Sequence, residues 1–405
     1  MINPLRGMKD LIFDESRKYK HIIHAASNIA KNYGYEYIET PILEETALFK
    51  RSVGESSDIV GKEMYQFRDK GDNDVCMRPE GTAGVVRAFV SSKLDRQDGT
   101  YRFCYYGPMF RYERPQKGRL RSFHQFGCES FGEGSVYEDF VMISMIKDIF
   151  DALNIGYTLK INSLGCKDCM PAYREKLVSF LDSIKDELCI DCNRRIETNP
   201  IRVLDCKIEK CQSVLTNSPK LINNLCDVCN SDFEKLKSLL DNANIDYEID
   251  TNLVRGLDYY NKTAFEFISS EIGSQSAIAG GGRYDRLVEF LDGKPTPAVG
   301  FALGIERIMD LVILPEPKRE GYYLGSMNEN GVEKLLDISL KLRKKYKVTL
   351  EYKAKSLKSH LKSADKVGAK SIIFIGDDEL ANNTIWIKDL ETKEEKTIKI
   401  EDFNS

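Results

Sequence analysis

The sequence lacks the long apolar runs and the leader pattern that direct a chain into a membrane or out of the cell. No stretch reaches the roughly eighteen consecutive apolar residues that a membrane-spanning helix needs. The first residues, MINPLRGMKDL, contain no basic segment followed by an apolar core, so no secretory signal is expected. We therefore expect a cytoplasmic protein, in which the eleven cysteines stay reduced.

Several other signatures are also missing. The chain has no internal repeats, no low-complexity tracts and no Walker-type glycine-rich loop ending in Lys-Ser or Lys-Thr. Any nucleotide must therefore be bound by some other arrangement. At 405 residues, with 42% hydrophobic and 30% charged residues, the chain is long enough for two or more domains with ordinary cores.

Hydrophobic periodicity predicts the order of the main elements. The patterns indicate a helix over 16–33, a strand over 35–45 halted by Pro41, an antiparallel strand–loop–strand over 101–132, a helix over 136–153, and a buried strand running into a helix over 297–314. Residues 166–245 are rich in cysteine and charge and have helical patterns, which suggests an inserted module. From 321 onward, apolar strands alternate with basic helices, which favours a small α/β domain. We therefore predict a catalytic domain over 1–165 and 246–320, an insertion over 166–245 and a C-terminal domain over 321–405.

The stretch FRYERPQKGRLRSFHQFG, residues 110–127, has five cations around one acid, Glu113. Arginines on a strand offer rigid bidentate donors to phosphate oxygens, and Phe123 offers a face for a flat ring. These groups suit a nucleoside triphosphate held on an antiparallel sheet. Taken alone, the stretch could equally be a basic exposed hairpin.

A second basic stretch lies near the C-terminus. Residues 341–370 contain eleven lysines and arginines against two acids, a net charge of +9 in a chain whose total is −4. Such a run is either a solvated helix face or a surface that meets phosphate.

The motifs together resemble the histidyl-tRNA synthetase family of class II aminoacyl-tRNA synthetases. The three class II motifs are matched by YGYEYIETPILE, by FRYE with the following loop and RSFHQFG, and by AVGFALGIERI; the histidyl branch is matched by RGMKD, MRPEGTAG and LVRGLDYYNKTAFE. The motifs occur in the family order over nearly the whole chain, which moves our interpretation of residues 341–370 towards RNA contact.

The resemblance implies an α+β fold: an antiparallel-sheet catalytic domain with a helical insertion, and a small C-terminal α/β anticodon-binding domain. It implies activation of L-histidine with ATP and Mg²⁺ to histidyl-adenylate, and transfer of histidine to the 3′ end of tRNA(His) by a homodimer. The attacking carboxylate of histidine is already a nucleophile, so the four histidines of the chain are not needed as a base.

The resemblance also assigns the nucleotide site. Arg111 would hold the α-phosphate and the substrate carboxylate, Glu113 the adenine amine, Phe123 one face of the adenine, and Arg307 its other face near the γ-phosphate. Arg255 would place a fixed cation at the α-phosphate, so Arg111 and Arg255 are the predicted catalytic residues.

The predicted histidine site overlaps that of the nucleotide. Glu80, Thr82 and Gln125 would bind the α-ammonium, and Glu129 and Tyr260 the two imidazole nitrogens; the full predicted set is Glu80, Gly81, Thr82, Arg111, Gln125, Glu129, Arg255, Tyr259 and Tyr260. Glu80 and Glu129 could instead be structural acids paired to arginines. Tyr105 and Tyr106 either line this pocket or pack, and GGGRYD at 280–285 is expected to let backbone approach the adenylate.

Gln116, Arg119 and Arg121 are predicted to meet the tRNA acceptor end, although the arginines also suit a triphosphate tail. His124 alternates with Phe123 and Gln125 along a strand, so we interpret it as a structural histidine on the opposite face.

Two related families offer alternatives. A regulatory subunit of ATP phosphoribosyltransferase has the same catalytic fold but lacks an intact LVRGLDYY arginine signature and an anticodon domain, whereas this chain has both. An inactive synthetase fold acting as an RNA-binding module would lose Arg111, Arg255 or Arg307, and all three are present.

The cysteines are the feature that the resemblance does not explain. Eight of the eleven form four pairs: Cys166 with Cys169, Cys189 with Cys192, Cys206 with Cys211, and Cys226 with Cys229. Eight thiolates suffice for two structural Cys₄ zinc sites, and an insertion with few large apolar residues would gain from them. Reduced core cysteines and disulfides are the alternatives.

Overall fold

The computed structural model describes residues 2–54, 57, 59–206, 208–254, 257, 259–273 and 277–403. The chain divides into two compact units, Met1–Val312 and Ile313–Ser405. Residues 313–320, which we assigned from sequence to the catalytic domain, thus belong to the second unit. No helix in the described ranges is both long and apolar enough to cross a membrane.

The first unit is built on a broad sheet with helices around it. Its strands are β1 (Glu36–Tyr37), β2 (Leu43–Glu45), β3 (Tyr65–Arg68), β4 (Asp74–Met77), β5 (Tyr101–Phe110), β6 (Ser122–Phe131), β7 (Thr158–Ser163), β8 (Glu248–Ile249), β9 (Asn261–Ile268), β10 (Ala277–Arg283) and β11 (Ala298–Gly304). Its α-helices are α1 (Phe13–Asn32), α2 (Thr46–Val53), α3 (Thr82–Ser91), α4 (Val136–Ala152), α5 (Met170–Ser183), α6 (Ile190–Thr198), α7 (Glu209–Leu215), α8 (Asp227–Asn242), α9 (Leu287–Phe290) and α10 (Ile305–Leu311). Short 3₁₀ turns occupy Leu94–Arg96, Lys185–Glu187, Pro200–Asp205, Leu221–Asn224 and Ser270–Ile272, and a π-turn occupies Ile59–Glu63.

The main sheet has the order β1-β5-β6-β11-β10-β9-β7-β8 among the described residues. Adjacent strands of this sheet are antiparallel except at its two edges, where β1 pairs with β5 and β7 pairs with β8 in parallel. The predicted hairpin is confirmed: β5 and β6 pair from Tyr101 opposite Phe131 to Phe110 opposite Ser122. The resulting mixed helix-and-sheet fold with an antiparallel centre agrees with the predicted class.

The strand predicted over 35–45 is shorter than expected. Only Glu36 and Tyr37 join the main sheet, while β2 pairs with β4 in a separate sheet of order β2-β4-β3. Pro41 lies between the two, and a proline cannot donate to a strand ladder. The chain therefore changes sheets where the sequence suggested one strand.

A hydrophobic core fills the space between the sheet and α2, α3 and α9. Its largest members include Phe49, Phe89, Phe131 and Tyr284, and the rings of Phe89 and Phe131 stack with centroids 4.4 Å apart. Such stacked aromatic pairs contribute about 0.5–1.5 kcal/mol beyond the area they bury. This core supports the face of the central strands on which the predicted site residues lie.

The residues between β7 and β8 are helical, as predicted, and comprise α5 to α8. They have an apolar core of their own that includes Tyr173, Leu177, Leu181 and Leu221, together with several of the cysteines. We expected few large apolar residues in the insertion, and this expectation was wrong: α5 alone buries Tyr173, Leu177 and Leu181.

The second unit alternates strands and helices as predicted. It contains β12 (Tyr322–Ser326), α11 (Glu329–Leu342), β13 (Val348–Leu350), α12 (Leu357–Lys366), β14 (Ser371–Ile375), α13 (Asp377–Ala381), β15 (Thr384–Asp389) and β16 (Glu395–Lys399). The strand order is β13-β12-β14-β15-β16, with the first three strands parallel and the last two added antiparallel.

Candidate active site

One face of β6 carries the residues on which the site depends. Phe123, Gln125, Gly127 and Glu129 alternate along this strand, and residues two apart point to the same side of a sheet. At about 3.3 Å per residue, the face extends about 20 Å from Phe123 to Glu129. Because β6 lies between β5 and β11, both ends of this face are flanked by paired strands.

A cavity of about 240 Å³ lies at the Phe123 end. Its walls come from the β5–β6 loop, β6, β9, β10, β11 and α10, and the lining residues include Arg111, Glu113, Arg119, Phe123, Gln125, Glu266, Gly280, Glu306 and Arg307. All four predicted nucleotide-binding residues described here, Arg111, Glu113, Phe123 and Arg307, thus meet at one cavity.

Three guanidinium groups surround the single carboxylate of Glu113. Arg119 lies 3.1 Å and Arg111 4.0 Å from Glu113, and the Arg111 guanidinium carbon lies 5.4 Å from the centre of the Phe123 ring. Arg307 donates to the carbonyls of Gly118 and Ala277 at 3.0 and 2.6 Å. Burial lowers the pKa of Arg307, and the nearby positive charges of Arg119 and Arg111 lower it further. The three guanidinium groups can donate to phosphate oxygens, and three glutamates line the same cavity.

The other end of the β6 face holds a fully buried carboxylate. Glu129 accepts hydrogen bonds from Thr82 Oγ1 at 2.7 Å, from the Tyr105 hydroxyl at 3.2 Å and from the Tyr284 hydroxyl. Burial raises the pKa of Glu129 to about 8, because the hydroxyl hydrogen bonds only partly offset the loss of solvation. No arginine bonds Glu129 in the described part of the chain, so the alternative that Glu129 is an acid paired to arginine finds no support there.

Glycines make this carboxylate pocket possible. A Cβ on Gly300 would overlap Oε2 of Glu129, because β11 runs directly across from β6 at this register. A Cβ on Gly81 or Gly127 would overlap the Tyr105 ring, which lies between them. The predicted site residue Gly81 therefore acts by making room for a tyrosine.

Glu80 has a local role in addition to its place in the site. Its two carboxylate oxygens accept the backbone N–H groups of Thr82 and Ala83 at 2.7 and 2.8 Å, in the first turn of α3. Burial raises the pKa of Glu80, and those N–H donors, followed by Arg111, oppose the shift. Arg111 is tied to the same segment, since it donates to the carbonyl of Pro79 at 2.8 Å.

Two buried polar atoms of the predicted histidine-binding residues have no hydrogen-bond partner among the described residues. They are Oε1 of Gln125 and the hydroxyl of Tyr259. An unsatisfied buried polar atom is costly, and a ligand atom at each position would remove that cost. Tyr260 lies beside Tyr259, with ring centroids 4.7 Å apart. The unpaired atoms mark where a polar substrate would fit.

The remaining predicted site residues are Arg255 and the three assigned to the tRNA acceptor end. Arg255 lies outside the described residues, so its predicted catalytic position has no structural counterpart here. Gln116 and Arg119 form a narrow turn through paired backbone hydrogen bonds of 3.1 and 2.9 Å. Arg121 lies against Tyr112, its guanidinium carbon 3.8 Å from the ring centre. Arg119 lines the cavity, and this position favours contact with the triphosphate tail over contact with the tRNA acceptor end.

His124 points away from the site, as predicted. Its Nδ1 lies 2.8 Å from Oε1 of Glu306, and its backbone N–H donates to the same carboxylate. This histidine links β6 to α10, which holds Arg307 at the cavity.

Sequence reasoning missed Tyr284 and Glu266. Tyr284 belongs to GGGRYD, a motif that we interpreted through its glycines alone; Gly280 does line the cavity, but the chain buries Tyr284 against Glu129. Glu266 lies on the cavity wall from β9, within the LVRGLDYYNKTAFE stretch. Alternation from Ala264, which is buried, would have placed Glu266 on the same side, but nothing in the sequence alone shows which strand lies opposite.

Comparison with known proteins identifies close relatives. A family model described as histidyl-tRNA synthetase matches residues 7–308, and one described as anticodon binding domain matches residues 317–405. The chain is 71% identical to a histidine–tRNA ligase from Sulfurovum sp., covering 98% of this chain and 99% of that protein, and 66% identical to one from Sulfurimonas denitrificans, covering 100% of both. The apo histidyl-tRNA synthetase of S. aureus has a similar structure, with a TM-score of 0.83, 33% identity, and coverage of 99% of this chain and 98% of that one.

The raised pKa of Glu129 predicts a pH-dependent loss of stability. Between the ordinary glutamate pKa of about 4.3 and the folded-state value of about 8, the unfolded chain releases a proton that the folded chain retains, so raising the pH across this window lowers the free energy of unfolding. Glu129→Gln should remove this slope and, at pH 8, raise the free energy of unfolding by on the order of 2 kcal/mol.

Glu138→Gln is the matched control, measured by denaturant unfolding at pH 6 and 8. Glu138 is also buried, but Arg102 and Ser130 donate to it at 2.7–2.8 Å and outweigh burial, so its pKa is lowered. This variant should be destabilised by about 1–2 kcal/mol, because Arg102 loses its partner. Equal destabilisation of both variants, with the wild-type pH slope retained in Glu129→Gln, would contradict the assignment.

Proposed function

The chain belongs to the histidyl-tRNA synthetase family, and from this premise we propose that the cavity at Phe123 binds ATP and that the pocket at Glu129 reads the side chain of L-histidine. The protein activates L-histidine with ATP to histidyl-adenylate and transfers the histidine to the 3′ end of tRNA. The observation that carries the proposed division is the contrast between the two ends of β6: a cavity lined by arginines and a buried carboxylate surrounded by hydroxyls.

The nucleotide end is proposed to bind ATP with Mg²⁺. Phe123 offers its ring face to the adenine, and Glu113 accepts the exocyclic amine after releasing Arg119, its present partner. Burial lowers the pKa of Arg307, and the positive charges of Arg119 and Arg111 lower it further, so bound phosphate groups would relieve the repulsion among these three arginines. Glu266 and Glu306 are the further carboxylates that line this cavity, and because Glu306 is bonded to His124, Glu266 is the one suited to contact the Mg²⁺ that accompanies ATP.

Histidine is proposed to lie between the two ends. Its α-ammonium would take the unpaired Oε1 of Gln125 and the carboxylate of Glu80, and its carboxylate would lie at Arg111, which is tied to Pro79. Because Glu129 has no exposed surface in this structure, we propose that the entering ring displaces one of the tyrosine side chains around it. Thr82 then keeps the carboxylate oriented.

The imidazole ring presents one donor and one acceptor when neutral. A carboxyl oxygen of Glu129 accepts from the donor nitrogen, and the hydroxyl of Tyr259 or Tyr260 can donate to the other. An amino acid lacking either nitrogen would leave a buried polar group unpaired, and sites of this kind reject such analogues strongly. We therefore expect selectivity for histidine without an editing step.

The chemical step needs alignment and charge stabilisation more than proton transfer. The histidine carboxylate oxygen attacks the α-phosphorus, the bond from that phosphorus to the bridging oxygen of the β-phosphate breaks, and pyrophosphate leaves. Arg111 is proposed to bind both the attacking carboxylate and the α-phosphate, which brings the reacting atoms together. Arg255, by resemblance, adds a permanent positive charge at the same phosphate.

The second unit is proposed to bind the anticodon end of tRNA. Its residues 317–405 match an anticodon-binding domain, and ten of the eleven cations in 341–370 are exposed, on the end of α11, the following loops and α12. Exposed lysines and arginines attract backbone phosphate, while sequence is read from unstacked bases. Gln116 and Arg121, on the β5–β6 loop, remain our proposal for the acceptor end.

The exchange of pyrophosphate into ATP, measured with each of the twenty amino acids in turn, tests the substrate assignment. Only L-histidine should support exchange, and the same preparation should then charge tRNA(His). Exchange supported equally well by another amino acid would contradict the proposal.

Two tyrosine variants localise the histidine end in the same assay. Tyr284→Phe removes a hydroxyl that holds Glu129 and should raise the KM for histidine about tenfold with little change in the KM for ATP. Tyr33→Phe is the control, because its hydroxyl donates to Asp148, an acid on α4 outside the site. If both variants changed the two KM values alike, the Glu129 pocket would not be the histidine site.

We further propose a homodimer formed through the segment around β1 and β2. Tyr37, Ile42 and Leu43 are 51%, 42% and 49% exposed, and Tyr37 packs on Tyr106, which is 36% exposed. Exposed apolar side chains in one area mark protein interfaces. Sedimentation should give a dimer at micromolar concentration, and Leu43→Glu should shift it towards monomer, whereas Tyr346→Glu in the second unit should not. A wild-type monomer with full activity would contradict the proposal.

We also assign the protein to the cytoplasm, where tRNA charging supplies translation. Cell fractionation that found the protein in a membrane or secreted fraction would contradict this assignment.

A further inference from the structure

The eight cysteines of the insertion converge in two separate groups. We call Cys166, Cys169, Cys226 and Cys229 the outer tetrad and Cys189, Cys192, Cys206 and Cys211 the inner tetrad. Within each tetrad all four sulfur atoms lie within 4.8 Å of one another. The pairing is nested, since the first pair in the chain joins the last, and the two middle pairs join each other.

The sulfur spacing fits a single tetrahedral ion. In the outer tetrad, Sγ of Cys166 lies 3.7 Å from that of Cys169 and 3.8 Å from that of Cys226. Four sulfurs at about 2.3 Å from a zinc ion form a tetrahedron whose edges are about 3.8 Å. A disulfide needs sulfurs about 2.05 Å apart, and all eleven cysteines are free thiols. A multinuclear iron–sulfur cluster would hold the sulfurs farther apart than one ion does.

Backbone N–H groups point at the sulfur atoms of both tetrads. In the outer tetrad the N–H of Cys226 donates to Cys169 Sγ at 3.2 Å, and that of Asp168 to Cys166 Sγ at 3.4 Å. In the inner tetrad the N–H of Cys189 donates to Cys211 Sγ at 3.3 Å. Donors of this kind orient thiolate ligands and stabilise their negative charge, as outer-shell partners do in metal sites.

Ordinary burial explains the arrangement less well. Cys76 and Cys104 are buried core thiols in the same unit, and neither belongs to a described group of metal-ligating type. The tetrads, in contrast, place partly exposed cysteines (Cys166, Cys189 and Cys226) beside buried ones. Hydrophobic burial alone does not explain why the sulfur atoms cluster in two groups of four.

We propose that the insertion holds two structural Zn²⁺ ions, one in each tetrad, each bound by four thiolates. Zinc favours this closed tetrahedral sulfur site, and no position is left open for chemistry. The nested pairing means that the inner ion fixes α6 and α7, whereas the outer ion joins the start of the insertion, before α5, to the start of α8.

The outer ion is also placed to support the histidine end of the active site. Leu164 and Gly165, next to Cys166, exchange backbone hydrogen bonds of 2.6 and 2.7 Å with Lys262 at the start of β9. Tyr260, two residues earlier, packs against both the catalytic core and the core of the insertion. The outer ion therefore braces the segment that presents Tyr259 and Tyr260, and this part of the inference depends on the proposed function.

Metal analysis of the full-length protein purified without chelator tests the two sites directly. About two zinc ions per chain are expected, and titration with a mercurial reagent should release one ion for about every four thiols modified. Less than about half an equivalent of zinc, with eight readily titrated thiols, would overturn the proposal, as would stoichiometric iron. This readout does not depend on catalysis.

Paired serine variants separate the sites. Cys226→Ser with Cys229→Ser, and Cys206→Ser with Cys211→Ser, should each leave about one zinc per chain, while the control Cys104→Ala should keep about two. If a variant does not fold, the mercurial titration of the wild type still decides the count. Two zinc ions retained in either paired variant would overturn the ligand assignment.

Kinetic measurements on the same variants test whether the outer ion supports the segment of Tyr259 and Tyr260. The outer-tetrad variant should raise the KM for histidine at least about tenfold more than the inner-tetrad variant, with the KM for ATP similar in both. If the two variants raised the KM for histidine equally, the link between the outer ion and Tyr260 would be contradicted, while the measured number of zinc ions would still stand. Failure of histidine to support exchange in the wild type would instead count against the proposed function.

Discussion

The structure of the site depends on one buried carboxylate. Glu129 lies on a central strand with no exposed surface, and it accepts hydrogen bonds from hydroxyl groups in three separate parts of the chain: Thr82 on α3, Tyr105 on β5 and Tyr284 after β10. Because burying a carboxylate without such donors is costly, these elements are held in a fixed relation to β6. The absence of a side chain at Gly300 follows from the same constraint, since β11 must pass the carboxylate.

The two ends of the same strand, β6, lie in different electrostatic environments. At the Phe123 end, three arginines and three glutamates line the cavity, and the pKa of Arg307 is lowered by burial and further by the positive charges of Arg119 and Arg111. At the Glu129 end, neutral hydroxyls surround an acid whose pKa is raised to about 8. A polyanion and a small polar ring therefore find complementary surroundings on one face of one strand. An aminoacyl-adenylate, with a phosphate between a purine and a side chain, needs such a division.

The sequence allowed prediction of those features that local chemistry determines. Alternation of aromatic and polar residues gave the β5–β6 hairpin, and the same alternation correctly turned His124 away from the site. The short β1 was not predicted, because the exchange of sheets at Pro41 depends on which strands lie nearby. Tyr284 was missed for the same reason: its partner Glu129 is 155 residues away in the chain.

The cysteines show this limit most clearly. Spacing within each pair indicates that two sulfurs can point at one ion, but it does not say which pairs combine, and the nested arrangement emerges only from the fold of the insertion. Arg255, predicted by resemblance alone, lies outside the described residues and stays a prediction.

A crystal structure of the protein with a non-hydrolysable histidyl-adenylate analogue would test the account most directly. We predict adenine on the Phe123 ring, the phosphate analogue at Arg111, and an imidazole nitrogen within about 3 Å of a Glu129 carboxylate oxygen. An imidazole bound elsewhere, with Glu129 still bonded only to Thr82, Tyr105 and Tyr284, would contradict the central claim that this buried carboxylate reads the substrate.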